Sequence, residues 1–455
     1  MPDRHEEQWD HLSEFVEQAM RLTGVPGVSI GVLHNGGMRT SGFGVTNADH
    51  PLPVTHDTLH QIGSITKTFT GTLAMRLVED GSLDLAATVR TYLPDFKVSD
   101  EEASAQATVL HLMTHTGGWA GDLFEDTGSG DDALPKYIAK MADLEQLAPI
   151  GTVWSYNNAG FAVLGRIIEV VTGKRYVDVL REMLLDPLGL QATHFEIDEV
   201  VTRRFAVGHR VTPMGCEVIP SWVLPAYVRP MGGIICSVKE LLSYARFHLG
   251  DGTTEDGKRL LTQENLTEMH SSHAPVWGDA CWGLTWSVDD TLGVRRISHG
   301  GGTVGQISLL TLVPERNFAI AVLSNADRGS VLTRDVTEQA LKEYLDVEIE
   351  KPAPIESTEG DLAPLVGIYR RPFDDLELGM LGGRLIGQIT YKQSFPTADS
   401  PPEPPSPPFS LVRCEEDRLL VMDGPFANTM VDIIRKEDGA IGWIRASGRI
   451  HRREV

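Results

Sequence analysis

Gly63-Ser64-Ile65-Thr66-Lys67-Thr68-Phe69 is the stretch on which the reading of this chain turns. A helical pattern runs from Ser64 to Asp80 and stops at Gly81. A serine at the head of a helix holds its hydroxyl near backbone N–H groups that lack helical partners. A lysine three residues on lies on the same face, one turn along. A neutral lysine can take the serine proton, and burial beside other polar groups lowers its pKa toward that task. Gly71 continues that face and leaves room for close approach. Ile65, Phe69, Leu73 and Leu77 form a separate apolar stripe that anchors the helix. Standing alone, S-x-x-K reads more simply as a serine cap followed by a solvated lysine.

It does not stand alone. Trp154-Ser155-Tyr156-Asn157-Asn158 opens a second helix, about 158–172, and Ser298-His299-Gly300-Gly301-Gly302 precedes late strands. Together these segments resemble the serine β-lactamase and penicillin-binding-protein superfamily, most closely its class C-like branch of esterases, D-amino-acid peptidases and amidases. There S-x-x-K, Y-x-N and a K-T-G or H-x-G element meet in one cleft. The flanks TGVPGVSIGVL, LMTHTGG, DPLGL and VLSN carry the same likeness, over about residues 10–345. The resemblance implies Ser64 as nucleophile, with Lys67 and Tyr156 sharing the general-base work. It implies backbone N–H groups of Ser64 and Gly302 as the oxyanion hole, and Asn158, His299, Gly300 and Gly301 as substrate-binding positions.

The third element departs from K-T-G, since His299 stands for the lysine and Gly300 for the threonine. A lysine is a permanent cation suited to substrates with a carboxylate, whereas histidine is mostly neutral at pH 7. The expected function is therefore a serine hydrolase acting through a Ser64 acyl-enzyme on a small ester, carboxylesterase-like. The alternative is an amide-bond enzyme: a D-amino-acid peptidase, an amidase or a peptide-cyclising thioesterase. A β-lactamase ranks after these. A rival of another class is an acyl-adduct sensor or ligand-binding protein. No cofactor and no metal is implied, because nucleophile, base and oxyanion donors are all protein groups.

Strands at both ends of this region and helices between them predict an α/β (α+β) fold. Its antiparallel sheet is flanked by helices and carries an all-helical subdomain. A helix over 7–22 precedes VSIGVLHNGG, a strand that turns at Asn35-Gly36-Gly37 into MRTSGFGVTN. Ser237 and Glu240 form a predicted capping box. Runs 307–313 and 318–323, joined by Pro-Glu-Arg-Asn, read as a hairpin before a last helix over 331–345. The expected domains are 1–350, a linker over 351–361, and 362–455. The last part reads as short strands: LVGIYRR, LELGML, RLIGQIT, FSLVR, RLLVMD, MVDIIRK and IGWIRA, the pattern of a small antiparallel β-barrel. LVGIYRRP and GWIRASGRIHRR resemble the lipocalin-like domain appended to some relatives. The proline-rich FPTADSPPEPPSPP is expected as an exposed, extended loop.

The composition narrows the partners. Among 455 residues, 40 basic against 63 acidic side chains give a net charge of −23. Such a surface repels polyanions and anionic lipid, so no nucleic acid and no membrane partner is expected. The partner is a small-molecule ester or amide, with no oligomeric state implied. No secretory signal and no apolar run of transmembrane length is seen, so a cytoplasmic location is expected. Cys216, Cys236, Cys281 and Cys414 are too scattered for a zinc site or disulfide framework.

Three signals are discounted. Gly27-x-Ser29-x-Gly31 matches a nucleophile elbow, but its flanks read strand–turn–strand, so Ser29 is a buried strand residue. His111 and His115 lack the H-E-x-x-H pattern and are structural, with His115 placed to bond a loop backbone. The acidic loop Glu125-Asp126 to Asp131-Asp132 lacks calcium-loop spacing and is solvated.

Overall fold

The hairpin at Asn35-Gly36 starts the sheet. In the computed structural model, which describes residues 4–394, 397, 400 and 404–454, Gly27–His34 pairs antiparallel with Gly37–Gly44. Asn35 and Gly36 both take positive φ, the two-residue turn whose twist suits paired strands. Gly27–His34 also pairs with Phe318–Ser324, from Val28 opposite Ser324 to His34 opposite Phe318. The two ends of the first region thus close one sheet. Its order is Gly37–Gly44, Gly27–His34, Phe318–Ser324, Gln306–Val313, Arg296–Thr303, Ser287–Asp289, Ala280–Trp282 and Ala274–Trp277, antiparallel throughout.

Val28, Ile30 and Val32 alternate along their strand and pack into one cluster with Leu12 and Val16 of helix Arg4–Thr23 and Leu332 and Val336 of helix Gly329–Leu345. Gly31 lies on the opposite face, where a β-carbon would stand 2.5 Å from Leu242 of helix Val238–Leu249. With helices on both faces, Gly27–His34 is buried along nearly its whole length, Ser29 included. The predicted capping box at that third helix is half formed. Ser237 Oγ accepts from the Glu240 N–H at 3.3 Å, but the Glu240 carboxylate turns outward to accept from Ala192 N–H and Thr193 Oγ1.

The chain divides into two compact units. One comprises residues to Ala87, Gly128–Leu134 and Phe161–Ile349, and holds the sheet. The other comprises Thr88–Thr127, Pro135–Gly160 and Glu350–Val455. This second unit carries the short helices Val89–Tyr92, Glu101–Gln106 and Val109–Thr114 together with a closed barrel. Within 351–361, Thr358 and Asp361 cap a helical turn, Glu359–Leu362.

The barrel has eight strands, each paired with the next, from Gly367–Arg370 to Arg449–Arg453. It closes where Tyr369 and Arg370 meet Arg453 and Arg452. Tyr369, Leu376, Leu378, Leu385, Phe409, Leu411 and Ile444 belong to its packed core. The eighth strand, Arg449–Arg453, was not among the predicted runs because Ile450 is its only aliphatic residue. Half of the proline-rich stretch 395–408 lies outside the described residues. No helix among the described residues is long and apolar enough to cross a membrane.

Candidate active site

Ser64 sits in a single 3-10 turn, Gly63–Ile65, that feeds the α-helix Thr66–Glu79. The predicted helix thus begins two residues later than the serine, and Ser64 makes no capping bond. Lys67 is fully buried, and its Nζ donates to Ser64 Oγ at 3.1 Å and to the Met231 carbonyl at 2.7 Å. The same nitrogen lies 5.5 Å from the Phe161 ring centroid. The serine–lysine contact is thus made in a buried place beside an aromatic ring, with the Met231 carbonyl helping to hold the lysine nitrogen.

The strand Arg296–Thr303 runs beside this turn. Gly63 has φ of +51°, and a β-carbon there would lie 2.6 Å from the Gly302 backbone nitrogen. A β-carbon on Gly301 would lie 1.9 Å from the Ile62 carbonyl. Only glycine permits this approach, which brings the Gly302 N–H next to the backbone of the serine turn, as an oxyanion site requires.

His299 is buried, its Nδ1–H donating to the Gly300 carbonyl at 2.6 Å and its ring edge-on to Trp282 at 5.6 Å. Burial, and secondarily the Lys67 charge, push its pKa down to about 3, against a smaller upward pull from the Gly300 bond. His299 is therefore neutral at pH 7, with Nε2 as an acceptor.

Three other buried histidines of the same unit share this property. Burial pushes His60 and His270 down to about 3 and His248 well below its ordinary value, the last two also repelled by Arg295 and His270 respectively. Each binds its proton in the unfolded chain near pH 6.5 but not in the folded one. For His60 and His270 the stability of the neutral form is fully present above pH 6.5 and is lost as pH falls toward 3, by about 1.4 kcal/mol per pH unit for each group, and His248 acts in the same direction. The melting temperature is expected to fall steeply between pH 6.5 and 4.5, and His270→Gln to flatten that fall. A melting temperature independent of pH over this range would contradict the assignment.

The Tyr156 segment lies in the second unit, just before helix Ala159–Thr172. Its backbone is tied down residue by residue. Ser155 N–H donates to the His115 carbonyl at 3.0 Å, and Asn157 N–H to His115 Nδ1 at 3.1 Å. His115 thus bonds a loop backbone, as expected, and its ring stands 4.3 Å from that of Tyr156. Asn157, not Asn158, receives the first-turn helix N–H, from Gly160 at 2.8 Å. Asn158 is left free for other work, and its Nδ2 donates to Asp122 Oδ1 at 2.7 Å.

Asp122 was not singled out from sequence. It is buried, and Arg371 Nη1 and Arg449 Nε donate to its Oδ2 at 2.6 and 3.2 Å. Burial pushes its carboxyl up, but the Arg449 and Arg371 charges, with bonds from Arg371 and Asn158, outweigh that and hold it well below the usual carboxylate range. A lone aspartate in a glycine-bearing loop, with its arginine partners some 250 residues away or more, leaves no local signal.

Residues 12–344 match the family described as Beta-lactamase. The chain is 35% identical over 357 residues to Penicillin-binding protein 4 of Amycolatopsis lactamdurans, covering 76% of this chain and 93% of that one. It is 26% identical over 416 residues to Unguisins hydrolase ungD' of Aspergillus campestris (strain IBT 28561), covering 87% and 73%. The crystal structure of SurE shares the fold, with a TM-score of 0.78 at 24% identity over 99% of this chain and 100% of that one. Fold and relatives together define a serine hydrolase of the β-lactamase/transpeptidase type. The chain belongs to the beta-lactamase family.

Proposed function

We propose that this serine hydrolase acts on small neutral esters, as a carboxylesterase, through an acyl-enzyme on Ser64. The observation that carries the reading is the buried, uncharged His299 at the position where a K-T-G element supplies a cation. Gly300 adds no hydroxyl there either. A substrate carboxylate would find no fixed charge at this point to pair with, whereas a neutral acyl group loses nothing.

In this mechanism Ser64 Oγ attacks the acyl carbon as its proton passes to Lys67, with Tyr156 sharing the proton transfers. The N–H groups of Ser64 and Gly302 receive the developing oxyanion. Collapse expels the alcohol, which takes up the proton, and water then repeats the sequence to release the acid. The parts given to Tyr156 and Asn158 rest on the order of the motifs. All four cysteines are free thiols, which suits the reducing, cytoplasmic setting included in this proposal.

A second reading, an amide-bond enzyme, draws on Asn158. With Nδ2 committed to Asp122, its Oδ1 is the acceptor left to meet a substrate amide N–H. Paired turnover on a short-chain aryl ester, D- and L-amino-acid amides and a cephalosporin tests the order. The ester is expected to be fastest. Much faster amide turnover would install the second reading, and much faster cephalosporin turnover would sink both.

A further inference from the structure

The carboxylate that holds Asn158 is itself held from the barrel. Arg371, which bonds Asp122, forks onward to Asp374 at 2.8 and 2.6 Å, and Asp374 Oδ1 meets His451 Nε2 at 2.6 Å. Asp374, Arg449 and His451 lie on barrel strands, and Arg371 directly follows one. Ser447 and Gly448, both at positive φ, turn the last barrel hairpin so that the Gly448 carbonyl accepts from Tyr156 N–H at 2.8 Å. On the same hairpin, Ile450 N–H donates to Ser155 Oγ at 3.2 Å, and the Arg449 guanidinium stands 4.7 Å from the Tyr156 ring centroid. Every residue from 154 to 156 therefore has a bond or a ring contact from the last two strands or their turn, Trp154 through Arg445.

We propose that the barrel is a working part of the catalytic apparatus, in which Arg449 and Arg371 are positioning residues that act through Asp122 on Asn158. This rests on the acyl-enzyme reading given above. An ionised carboxylate only accepts, so it forces the Asn158 amide to face it with nitrogen and to present oxygen on the other side. A protonated carboxyl could donate, and the amide would lose that single orientation. Two guanidiniums keep Asp122 ionised in a buried place where it would otherwise take a proton. A buried ion cluster is a poor fastener, since apolar contacts of the same volume hold two surfaces at least as well. What the cluster supplies is direction at one side-chain amide, on the segment that also carries Tyr156.

A double-substitution cycle on the full chain tests this, with aryl-ester kinetics, fluorophosphonate labelling of Ser64 and thermal melts. Asp122→Asn and Arg449→Ala are each combined with Asn158→Ala. Arg449, at the partly exposed end of the cluster, serves if Asp122→Asn does not fold. Each is expected to lower kcat/KM by about 10–100-fold, mainly through kcat, while Ser64 still labels. Once Asn158 is alanine, the further loss should shrink to within about twofold. Arg449→Lys should recover part of the activity. Losses that simply multiply, or that follow the folded fraction, overturn the proposal. If Ser64 does not label in the parent protein, the acyl-enzyme reading itself fails. If Ser64 labels and the losses multiply, only the role of the barrel fails.

Discussion

Replacing Ser64 by alanine is expected to abolish turnover, by at least about 10⁴-fold in kcat, because no other nucleophile can form the acyl-enzyme. The fold should barely respond. Ser64 is half-buried in a three-residue turn and takes no part in capping the helix that follows. The bond it loses is to Lys67 Nζ, which keeps its bond to the Met231 carbonyl. A net change within about 1 kcal/mol follows. Steady-state turnover and a thermal melt on the same preparation check both halves. Activity near that of the parent would remove the mechanism, and a large loss of stability would mean that the turn depends on the hydroxyl.

The parts of the molecule that were legible in the sequence are those with short-range signatures. The Asn35-Gly36 turn, the buried alternation of Val28, Ile30 and Val32, and the Pro314–Asn317 link all announce themselves within a few residues. The serine–lysine pair is legible for the same reason, being three residues apart on one turn. Tyr156 and His299 were found by type and order along the chain, through likeness to a family, and no local pattern would have nominated either.

The unread parts are those whose meaning depends on distant partners. The eighth barrel strand looks like a charged tail, because Arg449 and His451 are recognisable as inward-tied residues only once Asp122 and Asp374 are in place. Glu240 follows Ser237 at capping-box spacing, yet Ala192 and Thr193 compete successfully for its carboxylate. Asp122 is the sharpest case. An aspartate in a loop is ordinarily solvated, and only two arginines brought from far along the chain make a buried one tolerable. Local pattern reports propensity, whereas these sites report what the fold later supplies.

Lys67 offers the second large effect, and a way to tell a base from a mere charge. Arginine at this position stays protonated at any accessible pH and has no lone pair to accept with. Methionine keeps an unbranched side chain but removes the amine. If the lysine takes the serine proton, Lys67→Arg and Lys67→Met should both lose about 10²–10⁴-fold in kcat/KM. If its charge alone mattered, the arginine variant would keep much of the activity. In Lys67→Met the Met231 carbonyl loses its donor, but a buried polar group is also removed, and these opposing effects leave the melting temperature close to the parent's. The same variant reports on the electrostatics of the site. The Lys67 charge is the second cause, after burial, of the low pKa of His299. Removing it should raise the His299 pKa while leaving it below its ordinary value, a shift that NMR titration of the ring can follow. No shift would show that the two groups do not share a field, and the account of a neutral His299 would then rest on burial alone.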